Sequence, residues 1–299
     1  MKKVAVFGQT YTVNADQEIK TLLTSLEEHN IVIFLEKNFY DALNEHKHLT
    51  KKYPTFSKFE DLNSSFDLFF SIGGDGTMLR TVTYVRDLNI PILGINTGRL
   101  GFLANVKKDE IKKSIDLLIA KEYSILERTL LSIEMTPNSK EFEEFPFALN
   151  EITIARKNTT TMIGVETYLN DEYLTNYWAD GLIIATPTGS TGYSLSCNGP
   201  VISPNSKNLV LTPIAPHNLN ARPMVIPDDT AIQLKVDSRE KDYQISLDSR
   251  ITSVPRETKI FIKKSPFTIK SVIPSNQSFL TTLRSKLLWG EDTRNESNL

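Results

Sequence analysis

One cysteine, Cys197, stands among 299 residues. An intrachain disulfide framework and a cysteine-rich zinc site are both excluded, and a reducing cytoplasm fits. An excess of one charge is also missing: 34 Lys and Arg stand against 36 Asp and Glu. No polycation is therefore on offer to nucleic acid or to an acidic membrane surface. No apolar run approaches the roughly 20 residues that a membrane-spanning helix needs. The opening Met1-Lys2-Lys3-Val4-Ala5-Val6-Phe7 is basic but has no sustained apolar core or small-residue cleavage site, so it reads as a first strand and not as a signal peptide. Several templates fail. There is no Gly-x-x-x-x-Gly-Lys-Ser/Thr run, no nucleophile elbow, no zinc-protease helix motif and no EF-hand loop. The first βα turn offers only Gly8, short of a dinucleotide fingerprint. Internal repeats and low-complexity linkers are absent too. The length itself is enough for a large core and points to two domains.

The stretch that organises the chain is Phe66-Asp67-Leu68-Phe69-Phe70-Ser71-Ile72, followed by Gly73-Gly74-Asp75-Gly76-Thr77. The first run is apolar and aromatic, as a strand buried on both faces requires. After the glycines, Met78, Leu79, Val82 and Val85 recur at helical spacing. The reading is strand, tight turn, helix N-terminus. Such a turn lets backbone N–H groups approach phosphate oxygens with no Cβ in the way. Gly74 and Gly76 imitate the start of a dinucleotide fingerprint, but Leu79 takes the place of the third glycine. An Asp in a turn that only bound phosphate would repel its ligand. Asp75 therefore implies a second role, either accepting a proton or holding a ribose hydroxyl or a metal ion. The plainer alternative is a βα turn whose Asp caps the helix.

Strand and helix alternate through the first third. Val4 to Phe7 is a strand, and Asn14 with Gln17 makes a capping box for a helix whose apolar face is Ile19, Leu22, Leu23 and Leu26. Ile31 to Leu35 is the next strand, and a helix is expected near Tyr40 to Leu49. Pro91 to Ile95 is a further strand, running into Asn96-Thr97-Gly98-Arg99-Leu100-Gly101-Phe102. A helix over Asp109 to Ala120 carries Ile111, Ile115, Leu118 and Ile119 on one side. This alternation argues for an open parallel sheet, whose ligands sit at the carboxyl ends of the strands. Both glycine-containing turns fall there.

After about Tyr123 the texture changes to β runs separated by turn residues: 130–135, 147–155, 162–169, 182–185, 209–214, 232–236, 243–247 and 259–262. Phe279, Leu283 and Leu287 then mark a last helix near Trp289-Gly290, expected to return to the first domain. Glu291 to Leu299 reads as a polar tail. Within the β half, Asp180 to Ser196 sets a strand running into a loop dense with hydroxyls and glycine, suited to a ribose, a phosphate or a base edge, or simply to a polar loop held by its own turns. Asn150-Glu151 puts an amide beside a carboxylate at a strand start. Pro213-Ile214-Ala215-Pro216-His217 ends another strand, and its histidine reads as structural. His46 and His48 read as solvated surface.

Taken together, these residues resemble the NAD kinases over nearly the whole chain. The resemblance rests on Gly73 to Thr77, Asn96 to Leu103, Leu149-Asn150-Glu151, Asp180-Gly181 with Thr186 to Ser194, Pro213 to His217 with Arg222-Pro223, and Trp289-Gly290. The first motif alone would also fit diacylglycerol and sphingosine kinases or, by analogy, phosphofructokinases. The resemblance implies an α/β plus all-β architecture: a Rossmann-like parallel-sheet domain over 1–123 with 274–299, and a β-sandwich-like dinucleotide-binding domain over 124–273. The last helix would pack back on the first domain. It implies ATP-dependent phosphorylation of NAD to NADP, with a divalent cation, Mg²⁺ first, and no protein ligand assigned to it. Asp75 would accept the proton of the 2′-hydroxyl. Gly73, Gly74, Gly76 and Thr77 would form the phosphate turn, with Gly76 and Arg80 beside the dinucleotide. Asn150 and Glu151 would hold ribose or adenine groups, and Asp180 would lie towards the other end. Thr188 and the run Thr191, Gly192, Tyr193, Ser194, Leu195 and Ser196 would line the adenine pocket through backbone and hydroxyl contacts. Ala215 would offer a close backbone approach, across a subunit interface of a dimer or tetramer. Two positions depart from the family pattern. Asp248-Ser249-Arg250 stands where Asp-Gly-Gln is common, so Arg250 is expected to touch phosphate or to pair with Glu240 or Asp242 at the surface. Thr191-Gly192-Tyr193 stands where Thr-Ala-Tyr is usual. A lipid kinase and a non-catalytic dinucleotide sensor are the alternatives. The first lacks an amphipathic segment for a membrane, and only activity separates the second.

Overall fold

The structure is a computed structural model that describes residues 1–8, 16–46, 48–49, 51–98, 101–158 and 161–289. The expected cap at Asn14, the motif residues Arg99, Leu100 and Gly290, and the tail at 291–299 lie outside the described residues. Two compact units divide the chain: Met1–Glu127 with Ile269–Leu299, and Arg128–Thr268.

The first unit contains β1 (Lys3–Gly8), α1 (Asp16–Glu28), β2 (Val32–Glu36), α2 (Lys37–Glu45), β3 (Thr55–Phe56), β4 (Leu68–Gly73), α3 (Asp75–Val85), β5 (Ile92–Asn96), β6 (Val106–Lys107) and α4 (Ile111–Ile119). The strands pair in parallel in the order β3-β2-β1-β4-β5. β1, β4 and β5 are buried almost end to end, as expected of a parallel sheet covered on both faces. Ile19, Leu22, Leu23 and Leu26 of α1 share one core with Val4, Val6, Ile33 and Phe70. α2 starts earlier than the apolar spacing predicts. Glu36 ends β2 and its carboxylate accepts from the Phe39 N–H, capping the helix directly. On α4, Ile111, Ile115 and Leu118 are buried, but Ile119, the last residue of the helix, is exposed.

The second unit holds β7 (Tyr123–Thr136, which begins in the first), α5 (Lys140–Glu143), β8 (Phe147–Ala148), β9 (Glu151–Ala155), β10 (Ile163–Leu169), β11 (Glu172–Ala179), β12 (Gly181–Ala185), α6 (Tyr193–Ser196), β13 (Asn208–Ile214), β14 (Met224–Pro227), β15 (Ile232–Ser238), β16 (Asp242–Leu247), β17 (Arg250–Pro255) and β18 (Lys259–Pro274). One antiparallel layer is β11-β10-β15 with the first part of β18. The other is β14-β13-β12-β9-β16-β17. Alternate residues of the two layers, among them Val165, Leu234 and Ile260 with Ile154, Ile184 and Tyr243, form one core. This is the sandwich pattern. In this unit three strands went unread in the sequence, β11, β14 and β17, and each is a sheet edge. An edge strand is partly solvated and polar, so its alternation is weak. Beyond Thr268, β18 belongs to the first unit, where Ser271 pairs in parallel with Ile92. α7 (Phe279–Leu287) follows it.

Candidate active site

Asp75 is the first residue of α3, and the N-cap is Gly74, which has no side chain to cap with. The carboxylate does not cap its own helix. It reaches across to the turn after β5, where Oδ2 accepts the Phe102 N–H at 2.8 Å and Oδ1 accepts those of Leu103 and Ala104 at 2.9 and 3.0 Å. The two oxygens of a carboxylate offer about four lone-pair sites, so the site left open lies on Oδ2. Glycine at 101 leaves the carboxylate its place, since a Cβ there would stand 1.9 Å from Asp75 Oδ1. Gly73 has φ +149° and a would-be Cβ 2.2 Å from Thr77 Oγ1. Thr77 is buried, with its N–H given to the Gly74 carbonyl, so it supports the turn by packing. Gly76 is exposed and open above the helix end. Arg80, one turn on, is exposed and lies 5.9 Å from the Phe7 ring centroid. A cavity of 160 Å³ opens beside it, lined by Gly8, Glu36 and Tyr84 at the carboxyl ends of β1 and β2.

In the second unit, Asn150 and Glu151 stand where the expected long strand breaks in two, between β8 and β9. Asp248 explains the break. From the turn between β16 and β17 its carboxylate accepts the N–H groups of Leu149, Asn150 and Glu151 at 2.9, 2.8 and 3.2 Å. A side chain thus replaces the ladder partner at that corner. Arg250 is drawn into the same corner. Its guanidinium donates to the carbonyls of Phe145 and Phe147 and lies 5.0 Å from the Phe145 ring centroid. The arginine expected at a phosphate or a surface carboxylate braces the segment that enters β8. Asn150 Oδ1 and Glu151 Oε2 are buried without a hydrogen-bond partner among the described residues.

The hydroxyl-rich loop leans on this pair. Thr186 Oγ1 donates to the Leu149 carbonyl at 2.6 Å and accepts from the Gly189 N–H. Thr188 is buried and accepts from Arg128, itself buried. Thr191 donates to the Thr188 carbonyl, and Ser194 shares a 2.8 Å bond with Thr212 while fully buried. The hydroxyls of Thr186, Thr188, Thr191 and Ser194 are thus engaged within the protein. What the loop leaves outward is Tyr193 and Ser196, with Gly192 and Leu195 half-buried. Elsewhere in this unit, Asp180 pairs with Arg156 at 2.8 Å. Both line a cavity of 470 Å³ with Trp178, Ala215, His217 and Arg239. Ala215 is held at φ +43°, a left-handed conformation that costs a non-glycine residue about 1 kcal/mol or more. Sequence reasoning passed over Gly101, Arg128 and the part played by Asp248. A carboxylate beside a turn serine gives no sign of which backbone it will bind.

A lone carboxylate fixed among glycines at a helix N-terminus, in a parallel α/β unit followed by an antiparallel sandwich, fits the class of phosphotransferases. The sequence comparisons specify which. Residues 4–123 match the ATP-NAD kinase N-terminal domain and residues 149–273 the ATP-NAD kinase C-terminal domain. The chain belongs to the NAD kinase family. It is 54% identical over 293 residues to an NAD kinase of Christiangramia forsetii, covering 98% of this chain and 100% of that one. Among solved structures, an NAD kinase from Archaeoglobus fulgidus in complex with ATP is similar at a TM-score of 0.74 and 26% identity, over 96% of this chain and 98% of that one. Yeast NADH kinase complexed with NADH shares the fold at a TM-score of 0.84 and 22% identity, over 99% of this chain and 89% of that one. No helix among the described residues is long and apolar enough to cross a membrane.

Proposed function

We propose that this chain transfers the γ-phosphoryl group of ATP to the 2′-hydroxyl of the adenosine ribose of NAD, giving NADP and ADP. The observation that carries the reading is Asp75, fixed by three N–H donors with one lone-pair site open on Oδ2. A ribose hydroxyl is a poor nucleophile at neutral pH, and a placed carboxylate that takes its proton contributes roughly 10²–10⁴-fold. Oδ2 receives that proton as the ribose oxygen bonds to phosphorus, and ADP leaves with the electron pair of the broken P–O bond. N–H groups at the start of α3 have no intrahelical acceptor and favour negative charge, so Gly73 to Gly76 suit the phosphates, with Arg80 adding a cation. In the second unit Asn150, Glu151 and the outward face of 191–196 hold the dinucleotide, and Asp180 and Ala215 flank its far end. The functional division proposed is 1–123 with 274–299 for phosphoryl transfer and 124–273 for the dinucleotide.

The donor set does not build a resident metal cage. Among the described residues there is no cluster of three or more His, Cys, Asp or Glu side chains, and Asp75 is already held by N–H groups. Divalent ions such as Mg²⁺ are commonly held by substrate phosphates and water, so the cation enters as part of the ATP substrate. Assembly as a homodimer or homotetramer is part of the proposal, supported by the exposed Trp178, Leu219, Met224 and Val225. A cytoplasmic location is supported by the single cysteine. The test is to incubate the protein with NAD, ATP and Mg²⁺ and to couple any NADP to an NADP-specific dehydrogenase. NAD binding with no NADP formed returns the chain to the sensor reading.

A further inference from the structure

Glu151 is 9% exposed, and its Oε2 has no hydrogen-bond partner among the described residues. A second carboxylate, Asp248, accepts its backbone N–H from the β16–β17 turn, and its charge is felt at the Glu151 side chain. The two are not equally provided for. Asp248 accepts three N–H groups and has the Arg250 charge beside it. Glu151 has the N–H of Tyr193. Two carboxylates in one dry corner do not both ionise unless each is compensated. Asp248 has more of that compensation than Glu151, which favours the proton on Glu151.

We infer that Glu151 meets the dinucleotide as a neutral acid, donating a hydrogen bond, and that Asp248 is the positioning residue that keeps it in that form. The inference rests on the assignment of Asn150 and Glu151 to the dinucleotide. A protonated carboxyl carries one O–H donor, whereas an ionised one only accepts. Beside it stands the Asn150 amide: a Cβ at Gly192 would lie 2.9 Å from Glu151 Oε2 and 3.4 Å from Asn150 Nδ2. A neutral Glu151 next to that amide presents hydrogen-bond donors to the oxygens of a ribose or the ring nitrogens of an adenine. A neutral acid also avoids repelling a ligand that carries two phosphate charges. Gly192 keeps the carboxyl where it is: a Cβ at that position would stand 2.9 Å from Oε2.

The charged and titratable groups around Glu151 agree. Burial first, and then the Asp248 charge, push Glu151 up to about 8. Asp248 is raised by its own burial, against the pull of the three N–H groups and of Arg250. The Tyr193 hydroxyl on α6 is raised by burial and by Cys197, Asp180 and Glu151, so it stays neutral. Asp180 is paired with Arg156, and Arg128 is bonded to Thr188.

The test is calorimetric titration of NAD into the intact protein from pH 6 to 9.5. Wild-type affinity is expected to be level below pH 7 and to fall as pH rises through about 8, by up to about tenfold per further pH unit for one linked proton. Glu151→Ala should lose about tenfold at pH 7, the scale of one buried hydrogen bond. Glu151→Gln, which keeps a neutral donor, should recover most of that loss and remove the break near 8. Asp248→Asn, which removes the like charge, should move the break to lower pH, and Tyr193→Phe should leave it in place. A wild-type affinity that stays level through 8, or a Glu151→Gln variant as weak as Glu151→Ala at pH 7, would overturn the inference. A folded protein that binds no NAD at any pH would remove the dinucleotide assignment with it.

Discussion

Asp75 is held by a clamp and not by its own helix, and that decides which single changes matter. Asp75→Asn keeps the side chain's shape but puts an N–H₂ where one of the N–H donors now points. Turnover is expected to fall by roughly 10²–10⁴ while NAD still binds, measured as kcat against an independently determined Kd. Near wild-type turnover would remove the general-base role. Gly101→Ala tests the clamp without touching the carboxylate. Its methyl would stand 1.9 Å from Asp75 Oδ1, so Asp75 must move and kcat should fall at least tenfold, with the KM for NAD little changed and the thermal midpoint reporting that the variant folds. Arg250 calls for a different measurement. Because its guanidinium braces the Phe145 and Phe147 carbonyls, Arg250→Gln should cost about 1.5–3 kcal/mol of stability. It should weaken NAD and NADP to the same extent. A loss confined to NADP, with unchanged melting, would put Arg250 on a phosphate. Asp75, Asn150 and Glu151 were legible because a carboxylate among glycines, or an amide beside an acid, is unusual chemistry in a strand-end loop. The partners that fix them, N–H groups 27–29 residues from Asp75 and the Asp248 carboxylate 98 and 97 residues from Asn150 and Glu151, leave no local trace in the sequence.

The same limit operates on whole elements. β1, β4, β5, β12 and β13 could be read because burial on both faces demands apolar runs. The edges β11, β14 and β17 could not, because solvent on one side relaxes the pattern. The run 147–155 looked continuous, since its apolar alternation says nothing of a side chain arriving from another turn to end the ladder. α2 was misplaced for want of a small polar cap, a role that Glu36 fills. α7 shows the ordinary case: Ser278 Oγ accepts the Thr281 N–H at 3.2 Å, and Leu283 is its buried residue. With so little burial, the cap is a large part of what holds this helix. Ser278→Ala is expected to cost about 1 kcal/mol, seen as faster amide exchange across 279–287 before any loss elsewhere. Uniform exchange in variant and wild type would show that packing alone suffices.

At the scale of the molecule, the first unit is discontinuous in sequence and the second is not. The chain leaves the first unit along β7 and re-enters it along β18, after Thr268. A chain stopped at Thr268 would lack Ser271, the partner of Ile92 at the margin of β5, as well as Val272, which belongs to the first unit's core. It is expected to keep the protected amides of 128–268 and to lose those of β1, β4 and β5, a contrast that hydrogen exchange resolves segment by segment. Equal protection of both sets would mean that the parallel sheet closes without its last strand. The path of β18 also governs how the protein comes into being. Domains generally fold in the order in which they emerge from the ribosome. If the truncated chain behaves as expected, the residues made first wait for the last strand: the insert matures first, and the Ile92 end of β5 lacks its neighbour until translation has passed the second unit.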